Sequence, residues 1–463
     1  MPRMTDFHQI LKRDLFKRIP FLREFFSAED IRNAAVAGQY HWRERIWTPM
    51  QTLWTFLVQV LHPDCSCRAA VAQVLAEQAA LGESLQTSAD PTAYCQARRR
   101  VPLGLFKTAF QTIGQSLRAR VDTDYLWHER RVWVVDGSSC SMPDTAELQE
   151  AFGQPDGQGP GCGFPVARLV SLFCWATGTI ADLVIGAYRS SELALWRQLW
   201  GHLQSGDIVL ADRFYCTYAE VAQLLARGCD GVFRLQGARA RTMDFRGGKR
   251  LGKNDRLVKW DRPKLCPRTL SPEQFALLPE TVSVRVLRFH TQTPGFRSQT
   301  IMVATTLLDP KGYPLEAIAQ LYADRWTVEL RLRDLKTTLG MDVLRGKSPD
   351  VVCKEIYMHV VAYNLIRALM WQAAQEQGRP LHRLSFAGTM QRLEVMAPYL
   401  YLFCGTAKAV RLYQVLLRWI AGDLLPHRPG RIEPRAVKRR PKEYDRLNKP
   451  RHELREALLR TTG

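Results

Sequence analysis

The sequence lacks the features of secreted, membrane-spanning and disulfide-rich proteins. Its start, MPRMTDFHQILKRDLFKRIPF, has no apolar core followed by a small-residue cleavage site, and no run of 18 uncharged apolar residues occurs anywhere. The 11 cysteines form no paired CxxC spacing, so we interpret them as reduced and mostly buried thiols rather than a disulfide framework or a zinc site. We therefore expect a cytoplasmic protein without a membrane partner.

Acidic residues are also scarce relative to basic ones. The 463 residues include 65 Lys and Arg against 45 Asp and Glu, which gives a net charge of +20. Such an excess favours a polyanionic partner, with nucleic acid ahead of an anionic membrane surface. The hydrophobic fraction of 46% excludes gross disorder, and the length predicts two to four structural units.

The order of apolar patterns along the chain predicts an α/β fold. Residues 1–125 show helical periodicity, whereas the chain from residue 131 has three strand-like runs followed by helix, strand, helix and strand. Residues 238–310 begin basic and Gly-rich and then contain two hairpin-like strands, which we interpret as a β-rich insertion. The predicted division is 1–125 (helical), 126–237 (α/β, first part), 238–310 (insertion), 311–380 (α/β, second part) and 381–463 (helical, with a basic tail).

Two aspartates follow apolar strand-like runs. Asp136 comes after VWVV and Asp212 after IVLA, so both should stand at the carboxyl end of a strand, where open α/β sheets place their chemistry. A single aspartate in this position is most often a turn or helix cap. Asp207 begins its strand and should lie about 16 Å from Asp212, at the other end of the sheet.

A third acid lies in the stretch YADRWTVELRLRDLK, residues 322–336. On a continuous helix with about 100° per residue, Tyr322, Arg325, Glu329 and Lys336 share one narrow polar face. A solvated face with charge pairing would explain this row in an arbitrary helix. With two strand-end aspartates earlier in the same unit, we instead predict that Glu329 is a third catalytic acid.

Three acids without histidine or cysteine suit Mg²⁺ or Mn²⁺, which take oxygen ligands. Two such ions about 3.5 to 4 Å apart would serve phosphodiester displacement. We expect Arg325 and Lys336 to hold substrate phosphates and Tyr322 to donate a hydrogen bond to one, while Trp326 either stacks on a base or packs. The consecutive Arg98, Arg99 and Arg100 are predicted phosphate contacts.

The spacing Y-x2-R-x3-E-x6-K resembles the signature of bacterial insertion-sequence transposases of the IS-four family, which are DDE enzymes with a ribonuclease-H-like core. The similarity extends to DGSS at 136–139, to ADRFY at 211–215 and to PRAVKRRPK at 434–442. It implies a ribonuclease-H-like catalytic core interrupted by the β-rich insertion, with helical N-terminal and C-terminal regions.

The resemblance also implies a reaction and the residues that perform it. Asp136, Asp212 and Glu329 would bind two Mg²⁺ ions, water attack would free a 3′-hydroxyl at the element end, and that hydroxyl would attack a second phosphodiester. Tyr322, Arg325 and Lys336 would contact the DNA end. The N-terminal region would bind terminal inverted repeats of double-stranded DNA, and the protein would act as a homodimer. In the basic tail, Lys438, Arg439 and Arg440 are predicted DNA contacts.

Two other functions stay open at the level of sequence. A ribonuclease-H-like nuclease that cuts without strand transfer would need the same three acids. A non-catalytic DNA-binding protein derived from a transposase would keep the positive charge but not the activity.

Overall fold

The computed structural model describes residues 32–33, 35–36, 38–42, 46–62, 65–80, 88–119, 121, 125–157, 159, 162–291, 299–403, 405–426 and 449–461. The predicted tail contacts Lys438, Arg439 and Arg440 lie outside these residues. The chain divides into two compact units. The described parts of 1–120, 140–151 and 333–426 form the helical unit, and those of 121–139, 152–332 and 427–463 form the sheet unit.

The sheet unit is built around one mixed sheet. Its strands are β1 (Val132–Ser141), β2 (Val166–Cys174), β3 (Ile180–Ala187), β4 (Ile208–Ala211), β5 (Asp230–Arg234), β6 (Lys249–Gly252), β7 (Asp255–Asp261), β8 (Thr281–Thr291) and β9 (Gln299–Thr305). Their order across the sheet is β3-β2-β1-β4-β5-β9-β8-β7-β6. The β1, β4 and β5 strands run parallel, while β2 with β3 and β5 with β9 are antiparallel.

Short helices of the sheet unit lie between these strands or follow the last of them. They are Glu192–Gln198, Tyr218–Ala226, Gly237–Thr242, Pro272–Ala276, Leu315–Asp324 and Trp326–Arg333, with a further helix at Arg451–Thr461. In the apolar core, buried residues of the parallel strands, such as Trp133, pack with large side chains of the helix at 192–198, such as Trp196. Burying this β-branched and aromatic surface is what drives the strands into one sheet.

The segment 238–310 extends this sheet beyond β5 rather than standing apart from it. We predicted two strands here, and β6 and β7 were missed. The four β6 residues, KRLG, begin with two exposed basic side chains and are half-buried at the other two, so they carry no alternating hydrophobic pattern. The β7 strand pairs with β8 from Asp255↔Leu287 to Asp261↔Thr281. Backbone hydrogen bonds of this pairing hold β7 in the sheet, and sequence patterns do not encode them. Trp260 is buried in the core, with the Arg239 guanidinium 4.2 Å above its ring.

The helical unit consists of helices wherever it is described, apart from the last residues of β1. They are Pro49–Leu61, Cys67–Ala80, Thr92–Arg100, Leu103–Arg118, Ala146–Phe152, Pro349–Glu376, Phe386–Leu402 and Ala407–Gly422. The helix Pro349–Glu376 is buried along most of its length and begins at the predicted Ser348 and Pro349. Helices of this kind are stabilised mainly by the apolar surface they bury.

The polar row at residues 322–336 does not lie on one continuous helix, which corrects the prediction. A helix at Leu315–Asp324 ends before Arg325, a second runs over Trp326–Arg333, and a π-helical turn covers Asp334–Thr338. The break is stabilised by the Thr327 hydroxyl, which donates to the Asp324 carbonyl at 2.7 Å. Because the π turn changes the number of residues per turn, the 100° spacing no longer applies at Lys336.

Among the described residues, no helix has the length and apolar content required to cross a membrane.

Candidate active site

The two aspartates lie side by side at one edge of the parallel strands. The β1–β4 register pairs Val134 with Leu210, and Asp136 and Asp212 each follow two residues later. Neighbouring strands are about 4.8 Å apart, so the two residues occupy equivalent positions. Asp212 directly follows β4 as predicted. Asp136 does not end its strand, because β1 continues to Ser141; only the paired part of β1 and β4 ends before it.

Each aspartate uses one oxygen to hold the backbone that follows it. Asp136 Oδ1 accepts a hydrogen bond from Gly137 N at 2.9 Å, and Asp212 Oδ1 accepts one from Phe214 N at 2.7 Å. The turn-capping role that a strand-end aspartate usually plays is therefore present. Within the described residues, the second oxygen of each carboxylate forms no hydrogen bond.

The three acids and Arg325 share one electrostatic environment. Burial raises the pKa of Asp136 from 3.8 to about 6, the Arg325 guanidinium opposes this, and the negative charges of Asp212 and Glu329 add to it. When burial and like charges raise the pKa of a carboxyl group, a bound cation would stabilise its charged form.

Glu329 lies on the helix Trp326–Arg333 and forms an ion pair with Arg325. The Arg325 guanidinium donates to Glu329 Oε1 at 3.1 Å, and the Glu329 side chain is 43% exposed. Among the described residues, no three acidic, histidine or cysteine side chains are close enough together to hold a metal ion. The predicted trio thus lies within electrostatic range but is not assembled into a coordination cluster in this conformation.

Arg325 is itself largely buried against Tyr322. Its guanidinium lies 5.8 Å from the centre of the Tyr322 ring, and its buried Nε has no hydrogen-bond partner within the described part of the chain. Tyr322 is buried, which raises the pKa of its hydroxyl, although Arg325 opposes the shift. The following Trp326 is half exposed.

The helix that carries Glu329 is tied to the sheet by a residue that sequence reasoning missed. The Arg331 guanidinium donates to the backbone carbonyls of Cys174 and Trp175, at 3.5 and 3.2 Å, where β2 ends. An arginine two positions after Glu329 has no distinguishing signal in the sequence, because a solvated arginine would look the same.

Lys336, the last residue of the predicted row, stays a predicted phosphate contact. It belongs to the helical unit, and its ammonium group forms an ion pair with Asp342 Oδ1 at 2.9 Å. Lys336 lies in the π-helical turn at Asp334–Thr338, so the regular helical spacing that the prediction assumed does not apply to it.

Arg98 is also not the predicted phosphate contact. It is buried, donates to Gln59 Oε1 at 3.0 Å and lies over the Phe56 ring at 4.7 Å. Since a buried guanidinium must be satisfied inside the protein, Arg98 is a structural residue of the helical unit. Arg99 and Arg100 are exposed, and their role as phosphate contacts stays a prediction.

Asp207 lies at the start of β4, as expected, and has a structural role. Its Oδ2 accepts hydrogen bonds from Trp133 Nε1 at 2.7 Å and from Gln204 N at 2.9 Å. These bonds satisfy a buried carboxylate at the opposite end of the sheet from Asp212.

Comparisons with known proteins find similarity to transposases. The family model described as "Transposase DDE domain" matches residues 127–365, which include all three acids. The transposase InsG for insertion sequence element IS4 of Escherichia coli (strain K12) is 27% identical over 368 residues, covering 76% of this chain and 78% of that protein. A cryo-EM structure of the piggyBac transposase synaptic complex with hairpin DNA matches with 10% identity and a TM-score of 0.43, covering 90% of this chain and 87% of that chain.

Proposed function

Because the chain belongs to the transposase DDE domain family, we propose that it is a DNA transposase that binds the terminal inverted repeats of an insertion sequence and catalyses metal-dependent strand cleavage and strand transfer. The observation that carries the proposal is the equivalent register of Asp136 and Asp212, with Glu329 close enough to perturb the same carboxyl group. Double-stranded DNA, as element ends and as target, is the substrate.

The fold supports a ribonuclease-H-like core for this reaction. The order β3-β2-β1-β4-β5 with β1, β4 and β5 parallel puts both aspartates at one edge, and β6 to β9 extend the sheet as the proposed insertion. We further propose that the helical N-terminal region binds the repeats and that two copies of the chain act together on paired ends in the bacterial cytoplasm.

The residues present fit divalent cations in their chemistry. Asp136, Asp212 and Glu329 would hold two Mg²⁺ or Mn²⁺ ions, which take carboxylate oxygens. The raised pKa of Asp136 and the ion pair of Glu329 both indicate carboxylates that accept positive charge. When bound, such ions supply an activated oxygen nucleophile and stabilise the leaving oxygen of a phosphodiester.

The residues of the chain itself contribute position and charge. The Arg325 guanidinium, which donates to Glu329 Oε1, would bind a non-bridging phosphate oxygen of the substrate. The Tyr322 ring lies against the Arg325 guanidinium. We propose that the Tyr322 hydroxyl reaches DNA only if the helix ending at Asp324 moves. The half-exposed side chain of Trp326 leaves both predicted roles open, stacking on a base and packing.

The test uses the full chain, Mg²⁺ and a plasmid carrying the inverted repeats that flank its gene. Excision and joined products support the proposal. Cuts without joining would indicate a nuclease, and band shifts without cuts would indicate a non-catalytic DNA-binding protein. Either result would overturn the proposal.

Asp212→Asn should abolish cleavage while leaving repeat binding intact, because the amide oxygen can still accept from Phe214 N but cannot serve as a carboxylate ligand. Asp156→Asn, which alters an exposed ion pair with Arg189, is the matched control and should cut normally. Equal loss of binding and cleavage in Asp212→Asn would contradict a metal role.

A further inference from the structure

A fourth carboxylate, Glu192, lies beside the two aspartates although it belongs to none of the predicted motifs. It is the first residue of the helix Glu192–Gln198, whose N-cap Ser191 hydroxyl accepts a hydrogen bond from Ala194 N. Its side chain is 22% exposed, and Arg168 is its nearest cation, with the N–O distance at 3.7 Å. An acid at this place needs an explanation beyond the helix start.

Glu192 packs directly against the residue after Asp136. A Cβ added to Gly137 would lie 2.4 Å from Glu192 Oε1 and 2.5 Å from its Cδ, so the carboxylate occupies the space that a side chain would fill. Gly137 N is also the donor to Asp136 Oδ1. The peptide that orients Asp136 therefore rests on the Glu192 carboxylate.

The same carboxylate holds the segment after Asp212. The Tyr215 hydroxyl donates to Glu192 Oε1 at 2.7 Å, and the Tyr215 ring is buried edge-on against Trp196. Tyr215 follows Asp212 by three residues, in the turn where Phe214 N donates to Asp212 Oδ1. One side chain thus contacts the two segments that follow the two aspartates.

These contacts lie where the sheet no longer constrains the aspartates relative to one another. The backbone pairing of β1 with β4 ends at Val134 and Leu210, two residues before the carboxylates. Ligands of a metal site must be held within fractions of an ångström, so a further tie beyond the last strand pair is required.

We propose that Glu192 is a positioning residue, which fixes the separation of the Asp136 and Asp212 carboxylates by bridging Gly137 and Tyr215. The role rests on the proposed function, because it concerns the same two metal-binding aspartates. It also explains the glycine at position 137, where any larger residue would displace the Glu192 carboxylate.

The experiment compares Glu192→Ala and Glu192→Gln in the full chain, with Glu273→Ala as a matched control. Glu273 is likewise a first-turn glutamate in a short helix of the sheet unit. Two quantities are measured with Mn²⁺: the concentration that gives half-maximal cleavage, and the concentration that gives half of the metal-induced rise in melting temperature without DNA.

We expect Glu192→Ala to raise both Mn²⁺ concentrations by about 10- to 100-fold, as for other supports of metal ligands, with repeat binding unchanged. Glu192→Gln should restore near-native values, because its amide oxygen can still accept from Tyr215 and fill the space at Gly137. Tyr215→Phe should shift both values in the same direction as Glu192→Ala.

Two results would overturn the proposal. In the first, Glu192→Ala melts at a lower temperature but keeps the native Mn²⁺ dependence, which would make the residue merely structural. In the second, Glu192→Gln is as defective as Glu192→Ala while fully stable, which would show that the negative charge itself is used. If the native chain shows metal-induced stabilisation without cleaving DNA, the proposed function fails, and the metal-stabilisation arm still decides the role of Glu192.

Discussion

Replacing Asp136 by asparagine should stabilise the metal-free protein above about pH 6. Burial and the charges of Asp212 and Glu329 raise the pKa of the Asp136 carboxyl from 3.8 to about 6 in the folded chain, despite Arg325. Between the unfolded pKa of 3.8 and the folded pKa of about 6, the folded state therefore keeps a proton that the unfolded chain has lost. The contribution of this group to stability is complete below the unfolded pKa and is lost as the pH rises through the folded pKa.

The size of the effect follows from the shift. A difference of about two pKa units at about 1.4 kcal/mol per unit sets an upper bound near 3 kcal/mol, and relaxation around a partly accessible carboxyl reduces it to about 1 to 3 kcal/mol. Asparagine has no charge to bury, and its Oδ1 can still accept from Gly137 N.

The assay is the free energy of unfolding from urea titration, in a chelator, at about pH 3.5 and about pH 7.5. Asp136→Asn should be close to the native chain at the lower pH and more stable than it at the higher one. Adding Mg²⁺ at the higher pH should reverse the order, because only the native carboxylate is a ligand. Asp156→Asn should show neither change, since that side chain is 73% exposed.

A difference between Asp136→Asn and the native chain that stays constant across this pH range would refute the reasoning. So would a variant less stable than the native chain at about pH 7.5 without metal, because the carboxylate would then be stabilised rather than strained by its surroundings.

Three further predictions concern other residues. Arg331→Gln should lower cleavage by about 10- to 100-fold with repeat binding intact, because the helix carrying Glu329 loses its ties to the β2 carbonyls; an unchanged rate would exclude this role. Arg285→Met should cost about 3 to 5 kcal/mol of unfolding free energy, since it leaves the buried Asp255 charge unpaired; urea titration measures this, and a loss below about 1 kcal/mol would contradict it. Replacing exposed Arg99 and Arg100 by Gln should weaken DNA binding at all sequences and reduce the slope of affinity against salt by about 2; an unchanged slope would remove them from the interface.

The sequence alone was sufficient to predict the strands that precede the proposed catalytic aspartates. The runs VWVV and IVLA are apolar and β-branched, so their strands are specified locally, and Asp136 and Asp212 follow from position along those strands. The start of the helix Pro349–Glu376 was also predicted from the sequence, because helix starts depend on a few neighbouring residues. Matching of the family model across residues 127–365 agrees with the resemblance found in the signature.

Other features depended on contacts between residues distant in sequence. Arg98 looks like its neighbours in a basic run, yet it is buried, because Gln59 and Phe56 surround it. Lys336 lies in a π-helical turn, which changes the local helical repeat, and its partner Asp342 lies beyond that turn. Local periodicity cannot predict either outcome, since both depend on which groups the fold brings near.

The sequence by itself indicated the residues that we propose bear the chemistry: two aspartates after apolar strands and one glutamate at helical spacing from an arginine. It also showed an excess of positive charge, which is suited to DNA. Tertiary structure alone decided how these groups are supported, through Glu192 against Gly137, Arg331 on the β2 carbonyls and Arg325 on Glu329. The physical reason is that strand and helix patterns arise from neighbouring residues, whereas burial and ion pairing arise from packing across the whole fold.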